Sequence, residues 1–227
     1  MSRRNNLDRC LTCKMQETLC ICALVPRLET RTRLALLLHL REVPKPTNTG
    51  SLAARCLPRS TIELIGDPER RAELPVIEPH EQPLLLYPHA DAVSIEAYAN
   101  HERPVVLIVP DGSWRQAHKM RKRIPGLDAI PCVILPEAGR TEYRLRAEHH
   151  AGGLATFEAI ARALRILEGD AGPAIEDALM AVFRVMVDRT LWLRGSLPDA
   201  EVTDGLPQAA IDRNPRHNPA TRGPGRP

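Results

Sequence analysis

The stretch Val105-Val-Leu-Ile-Val-Pro-Asp-Gly-Ser-Trp-Arg-Gln-Ala-His-Lys-Met120 decides how this chain is read. Its aliphatic residues run without a polar interruption to Pro110, as in a strand buried on both faces of a parallel sheet. Asp111-Gly112 follows, a common turn pair. Ser113 and Gln116 then stand at the spacing of a capping box, which starts a helix. In open α/β sheets ligands sit outside the carboxyl ends of strands, where such a turn lies. The first N–H groups of the helix point the same way and suit an anionic group such as a carboxylate. Asp111 thus stands where a general base or a ligand anchor is useful, and Trp114 offers an aromatic face to a ring or a cation. The same residues also fit a plain turn, with Asp111 in an Asx-turn and Trp114 in the core.

Outward from this junction, the middle of the chain repeats the alternation. Arg33–Leu40, Thr61–Ile65, Leu84–Tyr87, Val105–Val109 and Cys132–Leu135 are short apolar runs bounded by Pro, Gly or charge. They read as strands buried on both faces. Helical patterns lie between and after them at Gly50–Cys56, Ser113–Arg123 and Thr156–Glu168. Ile175, Leu179, Val182, Met186, Thr190 and Leu193 form a long amphipathic stripe, read as a helix packed on the core. The expected fold class is α/β, a sheet covered by helices. The expected divisions are a cysteine-rich segment at 1–25, an α/β domain at 26–194 and a tail at 195–227. The tail is rich in Pro, Gly, Asn and Arg and is expected to be largely disordered, above all over Arg213–Pro227.

Composition sets the frame. Of 227 residues, 43% are hydrophobic, which suffices for one sizeable core with a small appendage. Only 3% are aromatic, so aliphatic side chains do most of the packing. A net charge of +3 selects no partner by itself, and charge must be read locally. No apolar run approaches the roughly 18 residues of a membrane span. The polar Met1-Ser-Arg-Arg-Asn-Asn start has no signal-peptide core. A cytoplasmic location is expected, with cysteines as free thiols or metal thiolates. No obligatory protein partner is evident.

Cys10-x-x-Cys13 and Cys20-x-Cys22 can close a tetrahedral four-thiolate site, the usual geometry of structural zinc. Such an ion would replace the core that this short segment lacks. Scattered free cysteines and a redox pair are the alternatives, but redox CxxC motifs usually start a helix after a strand, and no strand precedes Cys10. Cys56 and Cys132 lie in apolar runs and read as buried small hydrophobes. His118, Lys119, Arg121, Lys122 and Arg123 crowd the helix after the junction, and Arg140, Arg144 and Arg146 follow the next strand. Such basic groups suit phosphate binding, although a charge run is also an ordinary solvated face. His149-His150 reads as a polar loop.

Asp111-Gly112-Ser113-Trp114 resembles the Asp-x-Thr-Trp motif of the DTW-domain family, with Ser in place of Thr; the related rRNA aminocarboxypropyltransferases are similar and also carry Ser there. Other segments agree with the resemblance: the four N-terminal cysteines, Glu42 with Asn48-Thr49-Gly50, Leu85-Leu86-Tyr87-Pro88, Arg140–Arg146, and Leu154-Ala155-Thr156-Phe157-Glu158-Ala159. The likeness covers about residues 10–194. It implies a SPOUT-like knotted α/β fold and transfer of an aminocarboxypropyl group from S-adenosylmethionine (SAM) to N3 of a tRNA uridine, releasing methylthioadenosine. On it, Asp111 is the base or the anchor of the SAM amino group. Asp111, Ser113, Trp114, Leu135, Pro136 and Thr156 are the implied SAM-binding set, and Lys119, Lys122, Arg123, Arg140, Arg144 and Arg146 the RNA-binding set. Two rivals remain: a SPOUT-like RNA methyltransferase, and a non-catalytic zinc-containing RNA-binding module.

Overall fold

Six strands form one sheet in the order β2-β1-β5-β3-β6-β4, every pairing parallel. The computed structural model describes residues 8–136, 140–145 and 153–214. The strands are β1 (Arg33–His39), β2 (Thr61–Ile65), β3 (Gln82–Leu86), β4 (Val93–Ser94), β5 (Val105–Asp111) and β6 (Cys132–Ile134). The helices are α1 (Thr49–Cys56), α2 (Trp114–Arg123), α3 (Thr156–Leu167), α4 (Gly172–Arg194) and α5 (Gln208–Arg213). The α/β class and the apolar runs read as strands therefore stand, and the helical patterns fall on α1 to α4.

Alternation along β1 and β5 sorts their side chains onto two cores. Leu34, Leu36, Leu38, Leu107 and Val109 join α1, α3 and α4 on one face. Ala35, Leu37, Val106 and Ile108 meet Ala117 and Met120 of α2 and its C-cap Ile124 on the other. The chain leaving β1 thus turns to one face and the chain leaving the adjacent β5 turns to the opposite one. Neighbouring strands whose connections diverge open a crevice at their carboxyl ends. Pairing of β5 with β3 ends at Ile108, while pairing with β1 continues to Leu38↔Asp111. Pro110, which has no N–H to donate, is tolerated where β5 has lost one partner.

One expectation needs correction. β2 does not lie buried on both faces: it is an edge strand, and Ile62 and Leu64 are exposed. An apolar run reports hydrophobicity, not whether a helix covers it. Residues 195–214 also carry more structure than a tail without apolar periodicity leads one to expect. A 3-10 turn at Asp199–Glu201 and α5 fold back there, with Leu197, Val202 and Ala210 buried. Asp188, buried in α4, accepts from the backbone N–H and hydroxyl of Thr203, and the Trp192 indole donates to Asp199 Oδ1 at 2.7 Å. The stretch beyond Asn214 lies outside the described residues. Among the described residues no helix is long and apolar enough to cross a membrane.

At the amino end of the sheet, Arg33 of β1 grips Glu81 just before β3, with two hydrogen bonds at 2.9 and 2.7 Å. This bidentate pair reaches across the start of β5 and leaves the opposite, carboxyl end as the open one. The Arg33 guanidinium holds the Glu81 carboxyl below its ordinary range.

Candidate functional site

Each residue of Asp111-Gly-Ser-Trp114 has a separate task. Asp111 continues the alternation of Leu107 and Val109, so its side chain turns toward α1 and α3, where it is buried. Asn48 Nδ2 donates to Asp111 Oδ2 at 2.7 Å, and Thr156 Oγ1 donates to Oδ1 at 2.6 Å. Gly112 leaves room for Gln116: a Cβ there would lie 2.9 Å from Gln116 Oε1. That oxygen accepts from the Ser113 N–H at 2.7 Å and from the Ser113 hydroxyl at 2.8 Å, closing the capping box read from the sequence. Ser113 therefore serves as the helix cap. Trp114 then projects outward, 57% exposed, which removes the reading of it as a core residue.

Two helix starts meet at the Asp111 carboxylate, and that of α2 follows it in the chain. Asn48 is the N-cap of α1, and its Oδ1 accepts from the Ser51 N–H at 2.8 Å. Its amide is thus oriented from both sides, oxygen to the helix and nitrogen to Asp111. Ser113 caps α2, and Thr156 is the first residue of α3. Helix N-termini carry partial positive charge, so a carboxylate is stabilised where they meet. Gly50 lies in the same knot of contacts: a Cβ on it would meet Asp111 Oδ2 at 2.5 Å and Leu36 Cδ1 at 3.1 Å. Thr49 accepts from the Phe157 N–H at 3.4 Å and so ties α1 to α3. Glu158, fully buried, accepts from Thr141 Oγ1 at 2.5 Å, from the Glu142 N–H at 2.6 Å and from the Ala155 N–H at 2.9 Å. Through it the 141–142 segment is fixed to the start of α3, and Tyr143 reaches on to the Thr47 carbonyl at 3.1 Å.

Beside the junction lies an aromatic wall. Trp114 and Tyr87 stand with ring centroids 6.5 Å apart and planes tilted by 60°, and the Tyr87 hydroxyl is 3.4 Å from His118 Nδ1. Tyr87 follows β3, and Leu135-Pro136 follows β6, so both belong to the carboxyl edge that holds Asp111. Leu135 is half-buried against the core and Pro136 is exposed. The fold thus brings Asp111 and Thr156 into contact and sets Ser113, Trp114, Leu135 and Pro136 along one edge. Asn48, Gly50 and Tyr87 are site neighbours that the candidate set omits. The motif segments Asn48-Thr49-Gly50 and Leu85-Leu86-Tyr87-Pro88 were the signal for them.

Of the basic candidates, Lys119, Lys122 and Arg123 are exposed on α2, and among the described residues none of them forms an ion pair. Arg140 is exposed as well. Arg144 is engaged with Asp188 of α4. Arg146 lies outside the described residues, as do His149 and His150.

The cysteine cluster forms a second centre. Cys10 and Cys22 sulfurs are 3.6 Å apart, Cys13 and Cys20 sulfurs 3.7 Å, and all four lie within 4.8 Å of one another. A tetrahedral ion with metal–sulfur bonds of about 2.3 Å needs sulfurs roughly 3.8 Å apart, so the set can hold a metal. Backbone N–H groups of Cys13 and Thr12 draw the Cys10 thiol down to about 6, while burial pushes Cys20 up to about 12. Two arginines face the cluster. Arg55 at the end of α1 donates to Cys22 Sγ at 3.3 Å, and buried Arg189 of α4 donates to the Cys20 carbonyl at 3.1 Å. Such outer groups orient ligands and offset the charge of a thiolate set. Cys56 and Cys132 are buried, as their apolar surroundings led one to expect.

The tRNA-uridine aminocarboxypropyltransferase 2 of Drosophila melanogaster is 29% identical over 171 residues, 72% of this chain and 68% of the relative. The protein of that name from Macaca fascicularis is 30% identical over 167 residues, 70% of this chain and 56% of the relative, so the match spans little more than half of that relative's length. The tRNA-uridine aminocarboxypropyltransferase A of Arabidopsis thaliana is 28% identical over 220 residues, 78% of this chain and 79% of the relative. No solved structure matches the chain. The DTW domain profile matches residues 7–191, a span that takes in the cysteine cluster, Asn48, Asp111 and Thr156, and on that match the chain belongs to the DTW domain family.

Proposed function

We propose that this protein transfers the aminocarboxypropyl group of SAM to N3 of a uridine in tRNA and releases methylthioadenosine. The observation that carries the reading is the Asp111 carboxylate, fixed by Asn48 and Thr156 at two helix starts at the carboxyl end of a central strand. The named relatives supply the reaction class. In the transfer, the uridine N3 gives its proton to water, and the N3 electron pair attacks the γ-carbon of the methionine portion. The carbon–sulfur bond breaks, its electron pair stays on sulfur, and the sulfonium becomes a neutral thioether.

Asp111 already accepts a hydrogen bond on each of its carboxylate oxygens. That suits Asp111 to facing the positive amino group or sulfonium of SAM better than to taking the N3 proton. Asp111 is accordingly assigned as the anchor, with Thr156 and Asn48 as its positioning residues. Trp114, Tyr87, Leu135 and Pro136 would receive the adenosine portion along the β5-β3-β6 edge. The SPOUT-like knotted arrangement and a cytoplasmic location belong to the same reading. Zinc is the ion proposed for Cys10, Cys13, Cys20 and Cys22, in a closed, structural role. The exposed cations Lys119, Lys122 and Arg123, with Arg140, would bind tRNA phosphates.

The test is the by-product. Purified protein with SAM and tRNA should give methylthioadenosine in step with modified uridine, read by mass spectrometry of digested nucleosides. S-Adenosylhomocysteine in its place would make the protein a methyltransferase, and neither product with any tRNA would leave the non-catalytic RNA-binding rival.

A further inference from the structure

A cleft of about 290 Å³ runs along α1 on the side away from Trp114. Asn48, Ser51, Leu52 and Arg55 line it, residues three or four apart that form one stripe of the helix. The opposite wall is the edge strand β2: Ile62 and Leu64 face the same way as Leu36 and Leu38 but have no helix over them, and they are 43% and 39% exposed. The cysteine segment closes one end with Thr12, Cys13 and Lys14, and the 43–46 turn contributes Lys45. Three cations, Lys14, Lys45 and Arg55, therefore border an apolar floor; Lys45 also pairs with Glu42 at 2.6 Å and Arg55 also donates to Cys22 Sγ at 3.3 Å, while no Asp or Glu is among the described lining residues.

We infer that this cleft receives one nucleotide of the RNA substrate, its base on Ile62 and Leu64 and its phosphates toward Lys14, Lys45 and Arg55. The inference rests on the tRNA reading above and adds where the RNA lies. Charge and shape carry it. An apolar floor with cations at its rim matches an unstacked base on a polyanionic backbone, and cysteine-ligated knuckles are a recurrent single-strand RNA module. The volume sits near the lower end of ligand pockets, about 300 Å³, which suits a single nucleotide unit better than a helix or a strand of protein. The cleft also continues to the reaction site, because Asn48 lines it while holding Asp111. SAM on the Trp114 side and a nucleotide on the α1 side would then approach Asp111 from opposite directions.

The experiment compares Lys14→Glu and Ile62→Glu with the wild type in full-length, metal-loaded protein. Three quantities are read: tRNA affinity by fluorescence anisotropy, SAM affinity by calorimetry, and methylthioadenosine formation. Both substitutions fall on solvent-accessible side chains, and a melting curve checks that each variant folds. Each should weaken tRNA binding about tenfold, the equivalent of one lost stacking or phosphate contact, and leave SAM affinity within about twofold. A tRNA substituted with 4-thiouridine should crosslink to the 61–65 or 43–46 peptides, a readout that needs no variant. Unchanged tRNA affinity in both variants without those crosslinks overturns the proposal. Lost SAM affinity with intact tRNA binding also overturns it and makes the cleft the SAM pocket. Wild-type protein that forms no methylthioadenosine with any tRNA is the distinct failure of the parent reading, and the cleft assignment falls with it.

Discussion

The cysteine cluster and the Asp111 junction sit at opposite ends of one short helix, and they are closed in opposite ways. At the last turn of α1, Arg55 reaches Cys22, and the four sulfurs come from the single segment 10–22. At the first turn, Asn48 reaches Asp111 across 63 positions of sequence, and Thr156 reaches it across 45. A local cluster needs little of the fold, and on the zinc proposal an ion would hold its charges together. The junction needs no ion for its geometry, yet it exists only when β5, α1 and α3 have all docked. One centre is thus sensitive to metal and the other to packing.

The largest effect is expected from the local centre. Cys13→Ser leaves three sulfurs and should abolish stoichiometric metal content. Loss of a structural ion of this kind, at about 3 kcal/mol or more, should lower Tm by about 10 °C, read by calorimetry beside metal analysis. Equal Tm values for the variant and the wild type would show that the segment is held by its contacts alone. Next comes the junction. Asp111→Ala strips acceptors from the half-buried Asn48 amide and Thr156 hydroxyl, at about 1 kcal/mol each, and should cut turnover at least 100-fold. Asp111→Asn separates roles by calorimetry with SAM: weaker binding supports the anchor, whereas normal binding with lost turnover supports the base.

Gly50→Ala is the sharper probe, because it changes neither charge nor hydrogen-bonding groups. Its methyl would displace a carboxylate held at both oxygens, so a destabilisation of about 1–3 kcal/mol should accompany a turnover loss of roughly tenfold or more. Full activity in this variant would mean that the position of Asp111 is not critical. Trp114→Ala should shift Tm by less than about 2 °C, since the ring is mostly exposed, while weakening SAM binding by about 1 kcal/mol. A large Tm loss there would return Trp114 to a packing role. The smallest effect belongs to the amino end of the sheet. Glu81 has a folded pKa below its unfolded value of about 4.3, so its pairing stabilises the fold above that pH. That contribution fades as pH falls from there through the lower folded value. Glu81→Gln should flatten this part of the acid-stability curve and leave neutral-pH turnover unchanged.

The same division between local and long-range explains what the sequence disclosed. β1, β5 and β6 were legible as apolar runs, and the Ser113–Gln116 cap was legible because both partners lie within one turn. The cysteine set was legible for the same reason. β4, two residues long, carries no periodicity to detect. The edge position of β2 was hidden because Thr61–Ile65 has the composition of a central strand, and only the sheet order shows which flank stays open. Asp111 could be named from its turn, but Asn48 and Thr156 could not be paired with it, since nothing in either segment encodes the other. The commitment of Arg144 to Asp188 was equally invisible, and so was the return of residues 195–214 to the core through Thr203.

Helix α1 is only about 12 Å long, shorter than helices that persist alone in water. It survives because both ends are fastened, one to the sheet through Asp111 and the other to the cysteine segment through Arg55. Its backbone amides should therefore not fray from the ends in the usual graded way. They should exchange with deuterium as one unit, at a common free energy of opening, and chelating the metal should accelerate all of them together, including those next to Asp111 at the far end.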